Sequence, residues 1–358
     1  MIFDGFDSTA VARATHAIQE GKLVGLPTET VYGLAANAED DAAVARIYAT
    51  KGRPSDHPLI VHVADEQAVE HFASEIPVFA RALMRRFWPG PLTLILPRKP
   101  KVAAASAGGQ NSIGLRCPAH PVALALLAAL RAEVSGEATP KPVVWGLAAP
   151  SANQFGRVSP TTAQHVQGEF GEDLLILDGG ACQVGIESTI VDCTRGMPVL
   201  LRPGVLTREQ LQVACGQAVR LKDEMSADTL PTPRASGMLV SHYAPRARVR
   251  LMDTRALETA VSLLGPTLQA SQGVQTAATA QAGGMPPTLA VYALCTLQSY
   301  PAGLVFRRMP RRPQAAAQAL FADLRDLDAM GVQLIWVETP PDTPEWAGVR
   351  DRLERAAA

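Results

Sequence analysis

With 358 residues the chain is long for one hydrophobic core, so two domains are the natural division, each able to bury an interior. A net charge of −1 argues against a general electrostatic nucleic-acid binder, which needs a basic excess or stripe, and 5% aromatic residues leave little for base stacking. At 47% hydrophobic and 19% charged the composition is globular.

The five cysteines, Cys117, Cys182, Cys193, Cys215 and Cys295, include no C-x-x-C pair. They suggest neither a zinc cage nor a disulfide framework and fit reduced thiols in a cytoplasmic protein. The N-terminus lacks a basic segment followed by an apolar one, and no run of about 18 apolar residues occurs, so neither export nor a membrane span is expected.

In chain order, Ser8 to Glu20 reads as a capped helix ended by Gly21. The apolar run Leu23-Val24-Gly25-Leu26 stops at Pro27, which cannot donate to a ladder, so Thr28, Glu29 and Thr30 should hang off a strand end with their polar groups available. Asp41 to Thr50 predicts a short helix halted by Gly52 and Pro54. It leaves Lys51 and Arg53 flanking a glycine, an arrangement that suits an anion the backbone must approach, or else simply a solvated helix end. Strands are expected around residues 58–64 and 92–96. Ser112 to Cys117 is an alternating strand that places Arg116 at its end, before a helix over His120 to Leu130. Its guanidinium could grip a carboxylate in two prongs or form a surface ion pair.

A strand over 143–148 leads into Ala149-Pro150-Ser151-Ala152-Asn153, and the run Gly156 to Thr161 (GRVSPT) then enters a helix with Ser159 as its expected N-cap. Such a turn gathers donors for an anion, or merely caps a helix. Further strands are expected near 174–178 and 187–192. Ser188 then offers a hydroxyl and Arg202 a third cation, unless Ser188 pairs across the sheet and Arg202 sits in the Pro203-Gly204 turn. Strands alternating with helices make this an α/β chain, and the absence of G-x-G-x-x-G and G-x-x-x-x-G-K-[ST] disfavours a standard dinucleotide fold or P-loop.

Residues 222–246, rich in Pro, Ser, Thr and Ala, read as an extended, semi-rigid linker. Beyond it, strands over 248–252, 289–294 and 334–337 and helices over 313–330 and 344–356 predict a small second α/β domain. The expected layout is therefore 1–221, 222–246 and 247–358. Residues 266–287 are low-complexity and read as an inserted loop, and 132–141 as another excursion.

The segments PTETVYGL (27–34), KGRP (51–54), HPLIVHV (57–63), APSAN, SPT and GIESTIVD together closely resemble the YrdC-like family, whose two-domain members are threonylcarbamoyl-AMP synthases. The segment LFADLRDLDAMGVQLIWVE extends the resemblance into the second domain. It implies a YrdC-like twisted mixed sheet around a concave, positively charged nucleotide cavity, plus a smaller C-terminal Rossmann-like α/β domain. It also implies that a linker of the form S-P-G-M-x-x-x-H-Y-A-P crosses the mouth of the first domain. Here Ser236-Gly237-Met238 and His242-Tyr243-Ala244-Pro245 are similar, with Ser236 standing where proline is expected, which implies a looser lid.

The activity implied is synthesis of L-threonylcarbamoyladenylate from L-threonine, bicarbonate and ATP, with release of pyrophosphate and magnesium accompanying ATP. A separate transferase would then make threonylcarbamoyladenosine in transfer RNAs that read codons starting with adenine, so contact of this chain with tRNA is expected to be indirect. Carried over by position, Thr30, His62, Arg116, Ala149 (through its backbone) and Ser188 would hold threonine. Arg53, His57, Ser112, Ser151, Asn153, Ser159, Arg202 and Tyr243 would hold ATP, with Lys51 and Arg53 supplying electrostatic catalysis and no residue acting as nucleophile or metal ligand. His57 departs from the small polar residue usual at its place. The alternatives are an RNA-binding or regulatory YrdC-like module, and carbamoyl transfer, which would need an acylphosphatase-like or zinc-finger region that the sequence lacks.

Overall fold

Pro27 ends a strand and Pro97 ends another, and between such stops the apolar runs assemble one large sheet. The computed structural model describes residues 1–132, 143–225, 233–237, 241–264, 268–269, 289–297, 299–301 and 303–358. They form two compact units, Met1–Phe155 with Ser159–Met238, and Gly156–Val158 with Leu239–Ala358, so the division falls within the stretch read as a linker.

In the first unit the elements are β1 (Ile2–Asp4), α1 (Ser8–Gln19), β2 (Val24–Leu26), β3 (Gly33–Asn37), α2 (Asp41–Lys51), β4 (Ile60–His62), α3 (Glu66–Phe72), α4 (Val78–Phe87), β5 (Leu92–Pro97), β6 (Ser112–Arg116), α5 (Pro121–Arg131), β7 (Leu147–Ala148), α6 (Ala163–Phe170), β8 (Leu175–Asp178), β9 (Thr189–Asp192), β10 (Val199–Arg202), α7 (Arg208–Cys215) and β11 (Arg220–Leu221). The sheet order is β1-β8-β2-β3-β7-β4-β6-β5-β9-β10-β11, with parallel and antiparallel pairs mixed. Helix starts follow side-chain caps: Asp7 accepts from Thr9 N, and Asp40 from Ala43 N at 3.0 Å. Gly52, at φ +61°, closes α2 in the left-handed conformation a glycine adopts without strain.

Register decides what each sheet face carries, because side chains alternate and in-register partners share a face. The pairs Ile60↔Gly114 and His62↔Arg116 (β4/β6), Ile95↔Gly114 (β5/β6) and Thr93↔Ile190 (β5/β9) place His62, Arg116 and Thr93 together above an Ile60-Ile95-Ile190 floor. Val61, Leu94, Leu115 and Val191 point to the opposite face and form the dry core with Leu92, Leu96 and Ile113. A bulge in β10 extends the polar face. Leu200 pairs with Val191 but Arg202, not Leu201, pairs with Ile190, so the extra residue turns the arginine onto the same side as His62 and Arg116.

The second unit holds four parallel strands in the order Arg248–Met252, Leu334–Glu338, Leu289–Ala293, Leu304–Arg308, with helices Thr254–Ser262, Pro313–Ala329 and Ala347–Ala356. The expected helix over 344–356 begins as a 3-10 turn, Pro344–Trp346, because proline fits only the first turn of a helix. Tyr243 belongs to this unit, at φ +61°, with its ring stacked on Phe321 (5.4 Å between centroids) and the Arg352 guanidinium 5.4 Å from its centre. It is buried rather than solvent-facing. Residues 133–141, and 266–287 apart from the short strand Leu268–Gln269, lie outside the described residues. Among the described residues no helix is long and apolar enough to cross a membrane.

Candidate active site

The turn after β2 is built around Thr28, whose hydroxyl donates to Val31 O at 2.6 Å and lies 2.9 Å from the Thr30 hydroxyl. That fold-back, typical of threonine in a turn, presents Thr30 to the end of β6. There Arg116 donates through Nη1 to Thr30 Oγ1 (2.7 Å) and through Nε to Gly90 O (3.2 Å), and pairs through Nη2 with Glu29 Oε1 (2.6 Å). Arg116 and Glu29 are both buried, and the other Glu29 oxygen accepts from Ala119 N at 3.0 Å. Arg116 is thus neither an exposed ion pair nor an idle cation. It is held by two hydrogen bonds and one buried ion pair, and Nη2 makes no hydrogen bond among the described residues, so N–H groups remain on its terminal nitrogens.

Beside it on β4, His62 is buried and its Nδ1 has no hydrogen-bond partner among the described residues. Burial, followed by the adjacent Arg116 charge, pushes its pKa down to about 3, so the imidazole is neutral across the working pH range. Ala149 N–H is spent on Ile60 O (3.0 Å), which leaves its carbonyl as the group to meet a ligand.

A second group of side chains surrounds Arg202. Its Nε and Nη2 donate to Ser188 O at 3.1 and 3.0 Å, its Nη2 also to Ser188 Oγ at 3.2 Å, and its Nη1 to Ser236 O at 2.9 Å. Ser188 Oγ lies 2.7 Å from Thr93 Oγ1, so it does pair across the sheet, while facing the polar side. Arg202 is buried and not in an exposed turn. Arg53 donates to Pro58 O (2.9 Å) and Ser236 Oγ (3.4 Å) and lies 5.8 Å from the Phe155 ring centre. His57 meets the same ring edge-on at 5.6 Å, and burial, then Arg53, lowers its pKa. Ser112 lines a shallow, nearly filled hollow whose other walls include Ile60, Thr93, Gln110, Arg234 and Ser236.

Lys51 has a different part from that expected of a phosphate contact. Its ammonium donates to Ser151 O (2.5 Å) and to Asn153 O, pinning the APSAN turn to the end of α2, and Phe155 N returns a bond to Lys51 O at 2.9 Å. Burial, then Arg53, lowers its pKa well below that of an ordinary lysine. Ser159 is not a helix cap. Its hydroxyl donates to Glu187 Oε1, and α6 is capped by Thr162, which accepts from His165 N at 3.2 Å.

Sequence reasoning gave no site role to three polar residues here: Glu29, left only as a polar group off a strand end, Thr93, not singled out, and Ser236, read only as a substitution in the linker. Glu29 lies inside the PTET motif and could have been weighed as a partner for Arg116. Thr93 interrupts an otherwise apolar run, LTLILP, at a position alternation assigns to the opposite face from Leu92 and Leu94. Together the polar face offers one fixed guanidinium with a hydroxyl and a neutral imidazole beside it, then two further buried guanidinium groups around hydroxyls. That composition suits an amino acid set next to a polyphosphate, with no side chain poised as a nucleophile.

A family profile described as Telomere recombination matches residues 16–204, and one described as Threonylcarbamoyl-AMP synthase, C-terminal domain, matches 206–358. The threonylcarbamoyl-AMP synthase of Bacillus subtilis (strain 168) is 38% identical over 351 residues, spanning 97% of this chain and 92% of that one. This chain belongs to the threonylcarbamoyl-AMP synthase family. A threonylcarbamoyl-AMP synthase from Pyrococcus abyssi (strain GE5 / Orsay) is 46% identical over 237 residues, 66% of each chain. The solved structure of P. abyssi Sua5 complexed with L-threonine matches with a TM-score of 0.81 at 34% identity, covering 100% of this chain and 97% of that one. Both units thus have counterparts among threonylcarbamoyl-AMP synthases.

Proposed function

We propose that this chain makes L-threonylcarbamoyladenylate from L-threonine, bicarbonate and ATP, releasing pyrophosphate, and that the product passes in the cytoplasm to a separate transferase that modifies tRNA. The observation that carries the reading is the gathering of Thr30, His62, Arg116, Thr93 and Arg202 on one sheet face above an apolar floor. In this reading the Arg116 terminal nitrogens take the threonine carboxylate, and Thr30, the neutral His62, the Ala149 carbonyl and Ser188 surround its hydroxyl and amine. Arg53, His57, Ser112, Ser151, Asn153, Ser159 and Arg202 lie along the nucleotide. Lys51 acts by holding the 151–153 turn, so its part is positioning.

The chemistry then needs no covalent enzyme intermediate. The threonine amine attacks the bicarbonate carbon, the C–OH bond breaks, and the hydroxyl leaves with an amine proton as water, giving an N-carboxylate. One oxygen of that carboxylate attacks the α-phosphorus as the bond to the β-phosphate oxygen breaks. What the protein supplies is alignment and fixed positive charge where the leaving pyrophosphate develops charge. Magnesium would enter with the nucleotide and add positive charge beside its phosphates, next to that of Arg53 and Arg202.

The test is pyrophosphate release from ATP, expected to require threonine and bicarbonate together. Turnover indifferent to threonine would overturn the reading. Serine should support less turnover than threonine, and alanine less again, because a pocket that hydrogen-bonds a hydroxyl is left with unpaired polar groups when it is missing. The alternative RNA-binding module predicts steeply salt-dependent RNA binding without ATP. The burial of Lys51, Arg53 and Arg202 argues against it, since a phosphate backbone needs exposed cations.

A further inference from the structure

Ser236 makes contacts that a proline could not make. Its hydroxyl donates to Pro58 O at 2.7 Å and accepts from Arg53 Nη2 at 3.4 Å, while its carbonyl accepts from Arg202 Nη1 at 2.9 Å. Arg53 Nη2 reaches the same Pro58 carbonyl at 2.9 Å, so serine, arginine and carbonyl close a small ring of hydrogen bonds. Ser236 is buried, and the segment just before it is held by Arg234, which pairs with Asp56 at 2.5 Å and exchanges bonds with Gln110 at 2.8 and 3.1 Å. The serine at the expected proline therefore does not loosen this part of the linker. It fastens it to Arg53 and Arg202, and Ser236 itself lines the hollow that Ser112 and Thr93 share.

We infer that Ser236 is a positioning residue for the nucleotide, setting the orientation of Arg53 through its hydroxyl and of Arg202 through its carbonyl. The inference rests on the reading of those two arginines as phosphate contacts. An arginine on a flexible stem must be ordered before its planar fork can meet phosphate oxygens, and ordering it in advance lowers what binding has to supply. The Arg202 side is already fixed by Ser188. The Ser236 hydroxyl reaches Arg53 directly, whereas it is the Ser236 carbonyl that meets Arg202, so loss of the hydroxyl bears on Arg53.

The experiment is steady-state pyrophosphate release by the full chain carrying Ser236→Ala, Ser236→Thr, Arg53→Ala and the double variant Ser236→Ala/Arg53→Ala, with ATP and threonine varied separately. Ser236→Ala should raise the KM for ATP about three- to tenfold, the weight of one or two hydrogen bonds, with kcat and the threonine KM within about twofold. Ser236→Thr, which keeps the hydroxyl, should return the ATP KM close to that of the parent. In the Arg53→Ala background Ser236→Ala should add almost nothing, because the group it orients is gone. An ATP KM unchanged or lowered by Ser236→Ala, a Thr variant as impaired as the Ala variant, or full additivity with Arg53→Ala would each overturn the inference. If Arg53→Ala itself leaves the ATP KM unchanged, the phosphate reading of Arg53 is what fails. A melting temperature for Ser236→Ala lowered by no more than about 2–8 °C, the cost of one or two hydrogen bonds, with a cooperative transition, separates positioning from a general loss of fold.

Discussion

Replacing Arg116 by alanine removes the group on which the amino-acid end of the site depends, and its cost can be worked from the contacts. Three protein partners lose a donor: Gly90 O, Thr30 Oγ1 and the buried Glu29 carboxylate. The last dominates, since stranding one member of a buried ion pair costs about 3–5 kcal/mol, while each neutral hydrogen bond adds about 1 kcal/mol. At about 2–4 °C per kcal/mol for a unit of this size, the total of about 5–7 kcal/mol should lower the melting temperature by roughly 10–28 °C. Arg116→Lys separates stability from recognition. It keeps a cation opposite Glu29 and should recover most of that loss, but a point charge cannot reproduce the fork, so the threonine KM should stay raised by about tenfold or more while the ATP KM moves less than about twofold. Thermal unfolding and initial rates with each substrate varied read both effects. An unchanged melting temperature for Arg116→Ala, or equal rises in the two KM values for Arg116→Lys, would refute the reasoning.

Arg53→Ala should show the reverse pattern, with the ATP KM rising at least about tenfold and the threonine KM little changed in the same rate assay. Lys51→Met should act through the turn, stranding the Ser151 and Asn153 carbonyls. A stability loss of about 2–4 kcal/mol in urea unfolding, together with a weaker ATP KM, is expected, and the latter without the former would contradict its positioning part. His62 binds its proton less readily when folded, at about 3 against 6.5, so its contribution to stability is complete above pH 6.5 and is lost as pH falls toward 3. One and a half pH units below 6.5, at about 1.4 kcal/mol per unit, gives about 2 kcal/mol less stability at pH 5 than at neutral pH, and His62→Leu should abolish that part of the slope in unfolding curves taken across the range. Ser188→Ala removes the hydroxyl shared by Thr93 and Arg202 and should cost about 1–2 kcal/mol of stability with a rise in the threonine KM.

The strands that carry the site were legible because their apolar runs are long and sharply ended: Leu92 to Pro97, Ser112 to Arg116 and the stretch around Ile60 to His62. β3, Gly33–Asn37, and β10, Val199–Arg202, were not anticipated as strands, the first because glycine and alanine give no strand signal and the second because Pro203 and Gly204 read as a turn. The candidate residues themselves stood in recognisable motifs, but their partners did not. Glu29 meets Arg116 across 87 positions, and Ser159 meets Glu187 across 28, contacts that no local pattern encodes. The expectation that Ser159 caps a helix failed for that reason, since a nearer threonine could do the capping once the serine was drawn elsewhere. Equally, the β10 bulge that turns Arg202 onto the polar face is a one-residue shift, visible only once the strands are paired.

A crystal structure of the chain grown with L-threonine and a non-hydrolysable ATP analogue tests the central claim most directly. The account predicts the threonine carboxylate within hydrogen-bond distance of the Arg116 terminal nitrogens, its hydroxyl at the Thr30 and His62 end, and the analogue's phosphates toward Arg53 and Arg202 with the α-phosphorus nearest the amino acid. Threonine bound away from Arg116, or the two ligands on different faces of the sheet, would contradict it.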